Sequence, residues 1–205
     1  MKHIVSTNSS LVEMKDNKPA HLADSTVPLV VDLDGTLAKT DLLVESVVSL
    51  LKEQPWYLFA LPAWLLRGKA AFKREIARRI SFDPRIIPYR AEFIEYLKDQ
   101  RANGRKVVLA TASDEQIAMS VAGHLKLFDS VLASDGTTNL AGERKRASLV
   151  SRFGERGFDY AGNGTHDMAV WSSARKAIVV NNSREFAKAV GERTPVQELF
   201  EGRRG

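Results

Sequence analysis

The 205-residue chain contains no cysteine. That excludes a disulfide framework, a thiol nucleophile and any thiolate metal site, and it is compatible with a reducing compartment. Histidine is scarce: His3, His21, His124 and His166 show no metal-ligand spacing, which argues against zinc chemistry. Long apolar runs are missing too. The most apolar window, residues 56–66 (WYLFALPAWLL), is about half the length of a bilayer-spanning helix and contains Pro62. The polar amino terminus has no continuous apolar stretch of the signal-peptide kind. Internal repeats and low-complexity tracts are also absent. Together these features predict a cytoplasmic protein, with residues 1–26 as a flexible N-terminal arm.

Charge is plentiful but diffuse. The formal net charge is +5, with 27% charged and 44% hydrophobic residues, a balance that suits one folded domain with room for an inserted subdomain. Lys69, Lys73, Arg74, Arg78 and Arg79 form one basic cluster, and Arg101, Arg105 and Lys106 another. Neither is accompanied by an RNA-binding motif or an aromatic-basic repeat. They read as solvated helix faces, and no nucleic-acid partner is expected.

The most informative segment is VVDLDGTL, residues 30–37. The apolar, β-branched run 27–31 reads as a buried strand that ends at Asp32 and Asp34, then at Gly35. Two carboxylates are thereby held at the carboxyl end of a strand, where α/β sheets place their ligands. One can attack phosphorus or hold a divalent cation while the other moves a proton. Asp-Gly is also a common turn dipeptide, but a turn needs only one aspartate.

Residues 41–52 carry Leu42, Leu43, Val47, Leu50 and Leu51 at helical spacing. Residues 69–80 read as a basic helix with Phe72, Ile76 and Ile80 on one face, and 91–103 as a further helix closed by Gly104. Strands are predicted at 106–110, 130–133, 158–161 and 177–180. Helices fall between them at about 113–125, 143–153 and 167–174, the first opened by a Ser113/Gln116 capping box. Alternation from residue 104 onward implies parallel strands with right-handed crossovers. The predicted fold is therefore α/β: a three-layer, Rossmann-like parallel sheet with a small helical cap inserted after the first strand. Its core comprises residues 27–40 and 104–195, and its cap residues 41–103.

Later strand ends add complementary groups. Thr111-Ala112-Ser113 offers a hydroxyl followed by backbone N–H groups at a helix start, an arrangement suited to an anion. Lys145 opens a helix, where a cation opposes the helix dipole and an anionic partner would help explain it. Residues 162–167 (GNGTHD) form a glycine-rich turn in which Asp167 either caps the next helix or faces the first two aspartates.

Taken in order, DLDGTL, Thr111, Lys145 and the G-x-x-x-x-D loop resemble the four motifs of the haloacid dehalogenase-like hydrolase superfamily, over residues 27 to about 181. The resemblance implies a phosphatase, since dehalogenating members usually lack the second aspartate. It implies Asp32 as nucleophile, forming an aspartyl-phosphate, and Asp34 as general acid and base. Thr111, Ala112 and Lys145 would bind the phosphoryl group. Asp32, the backbone carbonyl of Asp34, Asn163 and Asp167 would bind Mg²⁺. Asn163 departs from the family pattern, which has aspartate there. An amide oxygen can ligate Mg²⁺ but removes a negative charge, so weaker metal binding and low activity are expected.

The segments DLDGTLAKTDLL, LPAWLLRGKAAFK, LATASD, LFDSVLASDGTTNLAG and RFGERGFDYAGNG are similar, more narrowly, to the phosphatase-like domain at the amino terminus of some UbiA-like prenyltransferase fusions. That resemblance implies a polyprenyl-linked or other lipid-associated phosphate as substrate. It also implies a peripheral location at the inner face of the membrane. The alternative is a low-activity phosphate-binding or regulatory module associated with a membrane prenyltransferase. Trp56, Tyr57, Phe59, Trp64 and Leu65, followed by Arg67, Lys69 and Lys73, have the character of an interfacial segment. A cap whose aromatics pack on one another is the competing expectation.

Overall fold

β1 (Leu29–Val31) is only three residues long, and every one is fully buried. The computed structural model, which describes residues 26–202, places this strand inside a six-stranded sheet of order β3-β2-β1-β4-β5-β6. The other strands are β2 (Val107–Asp114), β3 (Ser130–Ser134), β4 (Asp159–Gly162), β5 (Ala177–Asn182) and β6 (Val196–Glu201). All neighbouring pairs run parallel, with Val30 opposite Val108 on one side and Tyr160 on the other. The chain builds β2 and β3 to one side of β1, then crosses to build β4, β5 and β6 on the other. A crevice forms where the direction of winding reverses, beyond the carboxyl ends of β1, β2 and β4.

Alternation along β1 sends its side chains to both faces of the sheet. Leu29 and Val31 join Leu109, Ile178 and Val180 under α4 (Ala91–Ala102) and α5 (Glu115–Leu125), through Phe93, Leu97, Ile117 and Val121. Val30 joins Val108, Tyr160 and Val179 under α6 (Glu143–Phe153) and the short α7 (Met168–Trp171), through Leu149, Val170 and Trp171. The result is the three-layer Rossmann-like architecture. α8 (Arg184–Gly191) then leads into β6.

The helices inserted after β1 are α1 (Leu42–Glu53), α2 (Leu61–Leu66) and α3 (Lys69–Ala77), with a 3₁₀ turn at Pro55–Phe59. They have a small core of their own, Leu50, Trp64 and Ile76, with Tyr57, Leu61 and Phe72 packed around it. Tyr57 and Trp64 lie ring to ring at 5.2 Å, and the Arg79 guanidinium stands 4.6 Å from the Trp64 ring centre. Trp64 is therefore buried, whereas Trp56 is 61% exposed, Phe59 86% and Leu66 90%. Of the two expectations for these aromatics, packing describes one tryptophan and exposure the other.

Several boundaries differ from the sequence reading. α4 packs on the sheet through Phe93 and Leu97, so the stretch 91–102 belongs to the core layer and the insertion is shorter than 41–103. The sheet continues past residue 195, because β6 pairs with β5 from Val196 onward. β2 runs on to Asp114, and Asp114 rather than Ser113 caps α5, its Oδ1 accepting the Gln116 N–H at 3.0 Å. The expected helix at 167–174 is a 3₁₀ turn, Thr165–Asp167, followed by one turn of α7. The expected arm, apart from Thr26, lies outside the described residues. Among the described residues no helix is long and apolar enough to cross a membrane.

Candidate active site

Each carboxylate of the DLDGTL segment is held by different partners. β1 delivers Asp32, whose backbone N–H is bonded to the Ala161 carbonyl of β4 at 3.0 Å. Its side chain is buried, with Oδ1 accepting from Lys145 Nζ at 2.6 Å and Oδ2 facing the Thr36 hydroxyl at 3.3 Å. Burial lifts the Asp32 carboxyl to about 6; Lys145 pulls it back down, and the nearby Asp167 charge adds to the rise. Asp34 turns the other way. Its Oδ1 accepts the Leu42 N–H at 2.8 Å, at the start of α1, and its Oδ2 accepts the Ser113 hydroxyl at 2.6 Å. Burial raises this carboxyl as well, with those two hydrogen bonds opposing the rise.

Gly35 makes the turn between them possible. Its φ is +73°, and a Cβ there would sit 2.2 Å from Asn163 Nδ2. Only glycine lets the β1 loop approach the β4 loop so closely.

Lys145 lies in the first turn of α6, and the structure supplies its anionic partner in Asp32. Burial disfavours the ammonium, but the charges of Asp32, Asp167 and Asp34 outweigh it and hold the pKa above its ordinary value. The same ammonium donates to the Tyr160 hydroxyl at 3.1 Å, and that hydroxyl donates to Asp167 Oδ1 at 2.7 Å. Tyr160 is fully buried; desolvation and then the Asp167 and Asp32 charges push its pKa well up, so it remains a neutral donor. Asp167 Oδ2 accepts the N–H groups of Asn163 at 2.9 Å and Gly164 at 3.2 Å, which ties the loop after β4 to itself. His166, mostly exposed, brings Nε2 to 3.4 Å from the same oxygen.

The two aspartates share a cavity of about 450 Å³. Of the residues singled out from sequence, Asp32, Asp34, Ala112, Lys145 and Asn163 line it, while Thr111 and Asp167 are buried behind it. Thr111 Oγ1 accepts the Ser113 N–H at 2.9 Å and stands 3.5 Å from Asp34 Oδ2. The Ser113 amide is therefore already occupied, and α5 begins only at Glu115, so the anticipated helix-start anion site at 111–113 is not formed in that manner. A larger open hollow of about 790 Å³, around residues 181–185 and 201–202, contains neither aspartate.

Sequence reasoning gave four contributors no side-chain role beside the carboxylates: Thr36, Lys73, Ser113 and Tyr160. Thr36 lies within the DLDGTL motif and could have been proposed from it. Ser113 was read as a helix cap. Lys73 was read as part of a basic surface, yet its ammonium reaches the cavity and bonds the Ala112 carbonyl at 2.6 Å and Asn139 Oδ1 at 2.9 Å. Burial lowers its pKa, with the charges of Asp34 and Asp41 opposing.

The donor chemistry fits a hard cation. Asp32 Oδ2 and Asn163 Oδ1 both lie 3.3 Å from Thr36 Oγ1, but one hydroxyl proton can serve only one of them. An acceptor oxygen is thus left over at the meeting point of the two loops. Ligand atoms of Asp32, His166 and Asp167 also lie within 4.8 Å of one another. Carboxylate and amide oxygens of this kind are the hard donors that a divalent cation such as Mg²⁺ takes.

Known proteins resemble this arrangement at two levels. The profile of the family described as haloacid dehalogenase-like hydrolase matches residues 29–170. The "Uncharacterized protein y4nM" of Sinorhizobium fredii (strain NBRC 101917 / NGR234) is 35% identical over 170 residues, which is 82% of this chain and 33% of that protein. The chain thus spans about a third of the length of the curated relative it matches. Among solved structures, phosphoserine phosphatase in its apo form superposes with a TM-score of 0.57 at 13% identity, covering 87% of this chain and 94% of that one. A phospho-aspartyl intermediate analogue of phosphoserine phosphatase gives 0.55 at 14% identity, covering 87% and 95%. At such identities these two likenesses speak for the fold. The family follows from the profile, which spans the sheet from β1 through Asp167: the chain belongs to the haloacid dehalogenase-like hydrolases.

Proposed function

We propose that the chain is a Mg²⁺-dependent phosphomonoester hydrolase that works through an aspartyl-phosphate. One observation carries the reading. Two carboxylates from one strand end, Asp32 buried and Asp34 half-buried, face a single cavity, and only the first is paired to a lysine. That difference gives them different tasks. Asp32, oriented by Lys145 on Oδ1 and by the Thr36 hydroxyl on Oδ2, attacks phosphorus through Oδ2, and the bond from phosphorus to the leaving oxygen breaks. Asp34, raised by burial, gives its proton to that oxygen. It then takes a proton from the water that attacks the aspartyl-phosphate, which releases phosphate and restores the Asp32 carboxylate. Lys145 would hold a phosphoryl oxygen while remaining close to Asp32. Thr111 fastens the end of β2 beside it by accepting the Ser113 N–H.

Asp32, the Asp34 carbonyl and Asn163 would hold Mg²⁺, with Asp167 contributing charge through the loop it ties. The cation would offset the repulsion between the carboxylate and the phosphoryl oxygens. The phospho-aspartyl analogue of the structurally similar phosphoserine phosphatase supports the chemistry by analogy. The test is Mg²⁺-dependent phosphate release from an aryl phosphate, with Asp32→Asn as the paired control. Activity that requires Mg²⁺ and disappears in the variant supports the proposal; equal release by both proteins removes it.

Asn163 favours a second reading, a phosphate-binding or regulatory module of low turnover. Phosphate binding by calorimetry without release above the Asp32→Asn background would select it.

The insertion supports a lipid-associated substrate or partner, such as a polyprenyl-linked phosphate or a membrane prenyltransferase. Trp56, Leu58, Phe59, Leu65 and Leu66 expose large apolar groups within eleven residues, next to the exposed Arg67 and Lys69. Such a surface suits a headgroup boundary. Flotation with anionic vesicles tests this part, and absence of binding to any vesicle composition would eliminate it.

A further inference from the structure

Three lysines line the cavity, Lys39, Lys73 and Lys145; Lys39 is exposed to solvent, which leaves Lys73 as the partly buried ammonium that no carboxylate holds. Arg74, the next residue, pairs with Asp114 at 2.8 Å, and Lys145 pairs with Asp32 at 2.6 Å. The Lys73 ammonium has two neutral acceptors, the Ala112 carbonyl and the Asn139 amide oxygen. An ammonium carries three N–H donors, so one remains for another partner. Among the described residues no carboxylate oxygen hydrogen-bonds to Lys73, although Asp34 and Asp41 act on it from a distance. The side chain is half-buried and lines the same cavity as Asp32, Asp34 and Lys145. A partly desolvated charge without a counter-ion is costly, and a ligand anion would relieve that cost.

The position of Lys73 indicates which anion. Lys145 already serves Asp32 and the group that reacts there. Lys73 comes from α3 of the insertion and is anchored to Ala112 near the carboxyl end of β2 and to Asn139, so it stands on a different wall. We propose that Lys73 forms a second anion subsite, and that the substrate is a phosphomonoester carrying a further negative group, a carboxylate or a phosphodiester, elsewhere in the molecule. This rests on the phosphomonoesterase reading and narrows its substrate class.

The test uses matched alkyl phosphates of two to five carbons ending in a hydroxyl, a carboxylate or a methyl phosphodiester. The wild-type protein is expected to favour the doubly anionic esters at least tenfold in kcat/KM, mainly through KM, and the better of the two anionic ends identifies the second group. In Lys73→Met the ratio of doubly to singly anionic ester falls to about one, while Lys73→Arg keeps most of the preference. An equal ratio in wild type and Lys73→Met, or no wild-type preference at any chain length, overturns the proposal. If Lys73→Met does not fold, Lys73→Gln supplies the same comparison. If wild type hydrolyses none of the esters, the phosphatase reading fails separately. Calorimetric binding of the same esters then still decides the subsite: tighter binding of the doubly anionic esters that is lost in Lys73→Met supports it, and equal binding refutes it.

Discussion

Replacing Asn163 by aspartate should have opposite consequences with and without a cation. The Asn163 amide oxygen and Asp32 Oδ2 each lie 3.3 Å from Thr36 Oγ1, so they are at most about 6.6 Å apart. At an effective dielectric of ~20, two unit charges at that distance repel by about 2.5 kcal/mol. Lys145, fixed on Asp32 Oδ1, offsets part of this and leaves about 1–2 kcal/mol of destabilisation. For a domain of this size that corresponds to a melting temperature lower by about 2–8 °C in EDTA. With Mg²⁺ present the sign reverses. A charge-assisted contact in place of a neutral one contributes about 1.5–3 kcal/mol, or Mg²⁺ binding tighter by about 10- to 150-fold. Thermal unfolding in EDTA and in Mg²⁺, joined to Mg²⁺ calorimetry, reads both arms. If Asn163→Asp melts like wild type in both conditions, or loses stability equally in both, the residue does not face the cation and the reasoning fails.

Three further outcomes follow from groups outside that pair. Asp159 is fully buried between Arg105 and Arg175, and Arg105 also holds the Val27 carbonyl. Asp159→Ala strands the buried Arg105 charge and should cost about 3–5 kcal/mol in urea unfolding; a loss under about 1 kcal/mol would show that water already solvates the cluster. Tyr160→Phe deprives Asp167 Oδ1 of its donor and Lys145 of an acceptor, an expected loss of about 1–3 kcal/mol, with kcat falling as Lys145 is freed to turn toward Asp167. Unchanged stability and kcat would show the tyrosine hydroxyl to be a bystander. Asp83 is held down to about 2 by side-chain and backbone hydrogen bonds from Arg85. Because its folded pKa lies below the unfolded value, its stabilising contribution is complete above the ordinary carboxylate range and fades as pH falls through about 2. In an NMR titration the Asp83 midpoint should move up toward 4 in Arg85→Ala, and an unmoved midpoint would contradict the assigned cause.

Much of the sheet could be read from apolar runs because its strands are buried on both faces. Residues 29–31, 107–110 and 177–180 are continuous aliphatic stretches with no alternation to confuse them. β6 has no such run. VQELFE lies at the sheet edge with half-buried and exposed positions, and its strand character comes from pairing with β5. The end of the insertion was equally unmarked. α3 and α4 are both amphipathic and basic at their ends, and nothing local reveals that Phe93 and Leu97 face the sheet whereas Phe72 and Ile76 face other inserted helices. Ser113 shows tertiary structure overriding a local signal. Ser113 and Asp114 can each cap α5, but the hydroxyl of Ser113 is drawn to Asp34, 79 positions earlier in the chain, so the cap passes to Asp114.

The same distinction separates the readable part of the site from the rest. Asp32 and Asp34 could be placed because strand geometry alone projects residues just past a buried run into the crevice. Lys145 could be suspected because a cation in the first turn of a helix lacks a local reason, and its reason is Asp32, 113 positions away. Thr36, Ser113, Tyr160 and Lys73 had no comparable local anomaly to explain. A threonine in a turn, a serine near a helix start, a tyrosine in a strand and a lysine on a basic helix are each satisfied by their neighbours in sequence. Their contribution is to fill the remaining hydrogen-bond positions around the carboxylates, and those positions exist only once β1, β2, β4 and α3 have come together. The buried polar groups of this crevice have to be partnered whichever element supplies the partner. Strand ends constrain that choice by geometry. The insertion does not, and so the residue it contributes to the cavity, Lys73, was the least legible of the set.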